Sequence, residues 1–202
     1  MTITITIGCP ASGKSTWARQ QQEKYVADGQ SCAIIERDMI RDALYGTASS
    51  EAAAKWYYGQ GTADFIAAET AVSEIEESML VAAIDQCDHV IVSDCHASPA
   101  SYRQTMATID QCRHMIERHH EINHVYFAIS LREAMVRNEG RANAAEIVPP
   151  DIVRRMHVGA ARRADSLARD GVHVVTIHAL PASDFQHSAD PRHGVARAGS
   201  SA

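Results

Sequence analysis

Hydrophobic positions in this chain follow two rhythms. Short runs rich in β-branched residues recur as "TITITI" (2–7), "SCAIIERD" (31–38), "HVIVSD" (89–94), "NHVYFAIS" (123–130) and "VHVVTIH" (172–178), and they read as five strands. The second of these ends near Glu36 and the third at Ser93 or Asp94. Between them lie segments of helical character: "KSTWARQQQEKY", "DMIRDALYG", "TADFIAAETAVSEIEESMLVAAIDQ", "SPASYRQTMATIDQCRHMIERHH", "LREAMVRNE" and "PPDIVRRMHVGAARRADSLARDG". Ser98 before Pro99 is a helix start, and Gly171 after "SLARD" is a helix stop. Strands that alternate with helices predict an α/β fold with a parallel sheet of about five strands, covered by helices on both faces. No internal repeat is visible.

The turn between the first strand and the first helix carries "GCPASGKST": Gly8, Cys9, Pro10, Ala11, Ser12, Gly13, Lys14, Ser15 and Thr16. Gly8, four residues, then Gly13-Lys14-Ser15 is the phosphate-loop spacing, and the strand before it and the helix after it are the context that spacing requires. Glycine permits the backbone angles that aim successive N–H groups at an anion, and the helix N-terminus adds partial positive charge. Lys14 is placed to reach the β- and γ-phosphates of ATP, and Ser15 to bind Mg²⁺ through its hydroxyl.

Composition narrows the setting. With 202 residues the chain is long enough for one well-buried domain, read as residues 1–181, followed by a polar, aperiodic stretch, 182–202, expected to be a disordered tail. No run approaches a membrane span and the start lacks the features of a secretory signal, so a cytoplasmic protein is expected. Five scattered cysteines without C-x-x-C spacing suggest reduced thiols, and the four histidines of "HMIERHHEINH" match no zinc pattern. The net charge is −6; residues 1–100 hold 6 Lys/Arg against 14 Asp/Glu, and residues 101–202 hold 13 against 11. Such a balance gives no support to sequence-blind duplex binding, so any nucleic acid has to be gripped locally.

Ligands of open α/β sheets bind beyond the carboxyl ends of the strands, which directs attention to Asp38 after the second strand and Asp94 after the third. Asp38 has Arg41 three residues later on the same helical face, an arrangement suited to a base that accepts a hydroxyl proton beside a cation that binds a substrate phosphate; a helix N-cap is the alternative. Asp94 is positioned to orient Mg²⁺, or else to form a turn. Arg137 and Arg141 flank a segment poor in apolar residues and suit a short lid over transferring phosphates; a solvated arginine-rich face is the other reading.

"TIGCPASGKSTWAR", "ERDMIR", "VIVSD" and "VRNEGR" followed by "VPPDIVRRM" resemble, in order and spacing, the kinase domain of the phage polynucleotide 5′-kinases, from about Thr4 to Met156. The resemblance implies a P-loop kinase with ATP and Mg²⁺ as cofactors, Lys14 and Ser15 at the nucleotide, Asp38 activating the acceptor hydroxyl, Arg41 on the acceptor's phosphate, and Arg141 at the γ-phosphate with Arg137 beside it. It implies a nucleic-acid partner, DNA rather than RNA. Two departures stand out. No acidic D-x-D-G-T phosphatase motif follows, and Met39 and the "CHASP" loop replace polar acceptor-side residues. Related small phage kinases phosphorylate hydroxymethylated pyrimidines within DNA, so a 5′-hydroxyl is the leading acceptor and 5-hydroxymethyluracil in DNA the second. A small-molecule kinase and a nucleotide-binding switch complete the alternatives.

Overall fold

A computed structural model of the chain describes residues 1–46, 61–116, 119–141 and 147–178. The strands are β1 (Thr2–Ile7), β2 (Cys32–Ile35), β3 (His89–Val92), β4 (Glu121–Ala128) and β5 (Val174–His178), all parallel, in the order β2-β3-β1-β4-β5. Among the described residues the helices are α1 (Lys14–Ala27), α2 (Arg37–Tyr45), α3 (Ala63–Gln86), α4 (Pro99–Met115), α5 (Leu131–Glu139) and α6 (Pro150–Arg169). This is the α/β fold with a five-strand parallel sheet expected from the alternation of strands and helices. The expected domain boundary at 181, the expected tail 182–202 and residues 142–146, which follow the expected lid arginines, lie outside the described residues.

Register explains the β-branched run of β1. Ile3 and Ile5 pair with Val90 and Val92 of β3 and join a core with Leu80 and Ile84 of α3 and Ile109 of α4. Ile7 continues that face against Ala160 and Leu167 of α6. The alternate residues Thr4 and Thr6 are buried as well, because α1 covers the opposite face, where Trp17 meets Phe127 edge-on at 5.7 Å. A central parallel strand covered on both sides has no solvent face, so β-branched residues serve throughout. Thr6 answers its own desolvation by directing its hydroxyl at main-chain carbonyls of the β3 end, 3.2 Å from Val92 and 3.0 Å from Asp94.

Element ends differ from expectation in instructive ways. β4 begins at Glu121, two residues before Asn123, because Thr2 and Ile3 of β1 pair with Glu121 and Ile122. α4 closes at Met115, well short of His120. Val172 belongs to the turn that ends α6, its amide bonding to Leu167 O, so β5 starts at Val174. Asp38 is not an N-cap: Glu36 precedes the helix, and Asp38 lies inside its first turn, where a carboxylate complements the helix dipole. Ser98 does cap α4, accepting from the Ala100 amide, and Gly171 takes φ +79° beyond α6.

Candidate active site

The phosphate loop is shaped by two left-handed residues, Ala11 (φ +60°) and Gly13 (φ +99°), the second standing at the N-cap of α1. Alternating hands bring neighbouring N–H groups onto one concave side, a ready anion cradle at a helix N-terminus. Gly8 is needed for closeness: a Cβ there would come 2.7 Å from Ser12 Oγ and 3.1 Å from Phe127 Cβ. Lys14 is buried and arches over the loop, its Nζ donating to Gly8 O at 3.0 Å and Cys9 O at 2.8 Å, with Ser12 Oγ at 3.4 Å. Ser15 and Thr16 follow in the first turn of α1, both half-buried. Cys9 packs among Ile129, Val148 and Val153, and burial pushes its thiol pKa up despite Lys14.

Beyond the carboxyl ends of β2 and β3 a charge network joins α2 to α3. Arg41 Nε and Nη2 meet the two oxygens of Glu69 at 2.7 and 3.1 Å, while its Nη1 lies 2.5 Å from Asp38 Oδ1. Arg37 bonds Glu69 at 2.9 Å and Ser73 Oγ at 2.7 Å, and pairs with Glu76. The Asp38 side chain is 89 % exposed, whereas that of Arg41 is 20 % exposed. Burial alone would raise Glu69, but its bonds and charge contacts with Arg41 and Arg37 hold it below the ordinary carboxylate range. Glu76 goes the other way, raised by burial and by nearby Asp94. Two guanidiniums thus face four carboxylates: Asp38, Glu69, Glu76 and Asp94.

Asp94 lies at the floor of a narrow cleft between α3 and α4 that Arg37, Ser73, Glu76, Gln104 and Thr105 also line. Burial favours its neutral form, yet His96, the Cys95 amide at 2.7 Å and the two arginines hold its pKa down. An ionised carboxylate and the Ser15 hydroxyl are hard oxygen donors of the kind Mg²⁺ prefers, so these residues fit that ion. The Cys95 thiol, pushed up to about 11 mainly by burial, feels Lys14, Asp94 and Asp38 together. The fold therefore gathers the phosphate loop, Asp38, Arg41 and Asp94 at one edge of the sheet.

The two arginines expected to form a lid are placed differently. Arg137, near the end of α5, turns its Nε to Glu133 Oε1 at 2.7 Å. Arg141 follows α5, half-buried, its amide directed at Asn138 O at 3.4 Å. α5 reaches the phosphate loop through Ala134 and Met135, which share the Cys9 cluster. Sequence reasoning missed Glu69, Ser73 and Glu76; their helical spacing 69, 73, 76 places them on one face, but Thr70, Glu74, Glu77 and Ser78 of the same helix are polar too and mask that signal. It also missed His96, for which the sequence offers no periodic cue.

Sheet order, loop and charge network together define a P-loop α/β domain whose phosphate loop and Asp38–Arg41 pair share the carboxyl edge of the sheet. The chain belongs to the AAA domain family, whose model matches residues 3–162. Its fold is similar to that of deoxyadenosine kinase from M. mycoides (TM-score 0.53, 12% identity, covering 89% of this chain and 90% of that one). It is similar also to shikimate kinase from Acinetobacter baumannii (TM-score 0.51, 14% identity, covering 91% and 86%). No described helix is long and apolar enough to cross a membrane.

Proposed function

We propose that the protein is a kinase that transfers the γ-phosphate of ATP to an alcohol hydroxyl. One observation carries this reading: an exposed carboxylate, Asp38, is held by Arg41 at the same sheet edge as Lys14 and Asp94. A nucleotide switch has no use for an ordered acceptor side of this kind. Lys14 and the loop amides bind the phosphates, Asp38 takes the acceptor proton, and Arg141 with Arg137 beside it neutralises charge that develops on the transferring group. Ser15 and Asp94 would hold Mg²⁺, which when bound would supply Lewis-acid polarisation of the phosphate oxygens.

The acceptor we favour is a polynucleotide 5′-hydroxyl, DNA rather than RNA, on the strength of the motif order, with Arg41 as the contact for a strand phosphate. The hydroxymethyl group of 5-hydroxymethyluracil within DNA is the alternative the same motifs allow. A small uncharged alcohol is a separate reading supported by the charge count: Arg41 is already matched by Glu69 and Asp38, and the excess of carboxylates repels phosphate-bearing acceptors.

Incubation with γ-labelled ATP tests all three. Label on a 5′-hydroxyl oligonucleotide, with none in closed circular DNA containing 5-hydroxymethyluracil, is the expected result. Label in the circle alone moves the reaction to an internal base, which has to be flipped out of the stack. Label in neither, but in a panel of nucleosides and small polyols, supports the uncharged acceptor. Hydrolysis of ATP with no acceptor labelled overturns the kinase reading.

A further inference from the structure

The backbone ladder between β1 and β3 stops at Ile5 and Val92, yet the two chains remain tied beyond it by other donors. The Thr6 hydroxyl reaches the carbonyls of Val92 and Asp94. His96 Nδ1 donates to Thr6 O at 2.8 Å, and the Gly8 amide donates to Cys95 O at 3.1 Å. A carbonyl can only accept, so Nδ1 carries the proton in this bond. On its far side the same imidazole meets Thr105 Oγ1 of α4 through Nε2, at 3.2 Å.

His96 is 1 % exposed and adopts φ +44°, an uncommon conformation for a residue with a side chain. Such a backbone is strained and persists only where its surroundings over-determine it. Two ring hydrogen bonds and complete burial supply that constraint. The residue it serves is two positions away: Asp94, whose carboxylate is further held by the Cys95 amide.

We propose that His96 is a positioning residue for phosphoryl transfer, its imidazole pinning the Asp94–Cys95–His96 turn to β1 so that the Asp94 carboxylate keeps a fixed place relative to Lys14 and Ser15. The inference rests on the reading of Asp94 as the residue that orients Mg²⁺. Thr6 is the other half of the device: its carbonyl receives His96 while its hydroxyl reaches Asp94 O, so one β1 residue holds both ends of the turn. Partners that orient a metal-binding side chain typically change metal affinity by about 10–100-fold when removed.

The test is binding of a fluorescent ADP analogue with and without Mg²⁺, alongside kinase assays. In the wild type, Mg²⁺ tightens binding; His96→Leu is expected to weaken that tightening about tenfold while metal-free affinity, set by the phosphate loop, stays within about twofold. His96→Asn is expected to recover most of it. Asn Nδ2 occupies the place of the imidazole Nδ1, and asparagine tolerates positive φ. A merely structural histidine would lower the melting temperature and leave the Mg²⁺ effect intact. Should His96→Leu not fold, Thr6→Val removes the hydroxyl donor at nearly constant shape and is expected to act in the same direction. Wild-type tightening in the folded variants overturns the inference. Asp94→Asn separates the two levels. If it leaves the tightening unchanged, the reading of Asp94 fails and the inference with it. If it abolishes the tightening while His96→Leu and Thr6→Val do not, the inference alone fails.

Discussion

Arg41 grips Glu69 through two of its nitrogens, at 2.7 and 3.1 Å, and thereby ties the middle of α2 to the N-terminal third of α3. The same carboxylate serves Arg37, so one side chain on α3 holds both arginines of the "ERDMIR" segment. Glu69→Ala leaves each arginine a remaining partner, Glu76 for Arg37 and Asp38 for Arg41. A loss of about 1–3 kcal/mol in urea unfolding is therefore expected, below the cost of stripping a fully buried charge. Arg41 is also released toward the acceptor, so Glu69→Ala is expected to lower the Michaelis constant for a phosphate-bearing acceptor and leave that for an uncharged one unaltered.

Lys14→Ala removes a cation whose hydrogen bonds stay within its own phosphate loop, to the Gly8 and Cys9 carbonyls and Ser12 Oγ. Phosphoryl transfer is expected to fall by about a hundredfold or more while the circular-dichroism spectrum and melting curve stay close to wild type. Wild-type turnover in this variant would remove the phosphate loop from the chemistry.

Kinetic constants separate the acceptor side from the lid. Asp38→Asn should stop transfer with ATP affinity largely kept, since the exposed carboxylate lies at the acceptor edge. Arg41→Ala should mainly raise the acceptor KM. Arg141→Ala should lower kcat by about a hundredfold with little change in KM, because a contact that strengthens in the transition state does not appear in ground-state binding. Equal effects of Arg41→Ala and Arg141→Ala on KM would contradict this division.

Asn138, 1 % exposed, clasps Val148 from both sides: its Nδ2 donates to Val148 O at 2.7 Å and its Oδ1 accepts from Val148 N at 3.0 Å. Asn138→Ala orphans a buried donor and a buried acceptor at once, so a destabilisation of about 2–4 kcal/mol is expected, measured by urea unfolding. Asn138→Asp keeps the acceptor but sets a buried carboxylate against the Val148 carbonyl, so it is expected to cost at least as much as Asn138→Ala.

His124 is buried with its Nε2 2.9 Å from the Tyr102 hydroxyl, and its pKa is depressed to about 4, by burial first and by His96 second. Its ordinary value is about 6.5, so the unfolded chain binds this proton more readily than the folded one. The neutral histidine therefore contributes stability in full above pH 6.5, and that contribution is lost as pH falls toward 4. The total is on the order of 3 kcal/mol. Urea midpoints of the wild type should drop across this window, and those of His124→Gln should drop less; parallel curves would refute the assignment.

Periodicity and spacing carried the sequence reading a long way. Five β-branched runs became five parallel strands, "GCPASGKST" became the strand-to-helix loop, and Ser98 and Gly171 mark helix ends as local chemistry predicts. These features are legible because they depend on neighbours within a few residues: backbone angles, caps and the two-residue or 3.6-residue period. What lay beyond them needed the third dimension. Glu69 and Glu76 meet Arg37 across 32 and 39 positions, and His96 meets Thr6 across 90. The left-handed turn at His96 has no cue in "CHASP", because it is imposed by the end of the β1–β3 ladder and by burial against α4. The protonation of Asp94, Glu76 and His124 follows from which charges and how much water surround each group, and that is decided only when distant segments pack.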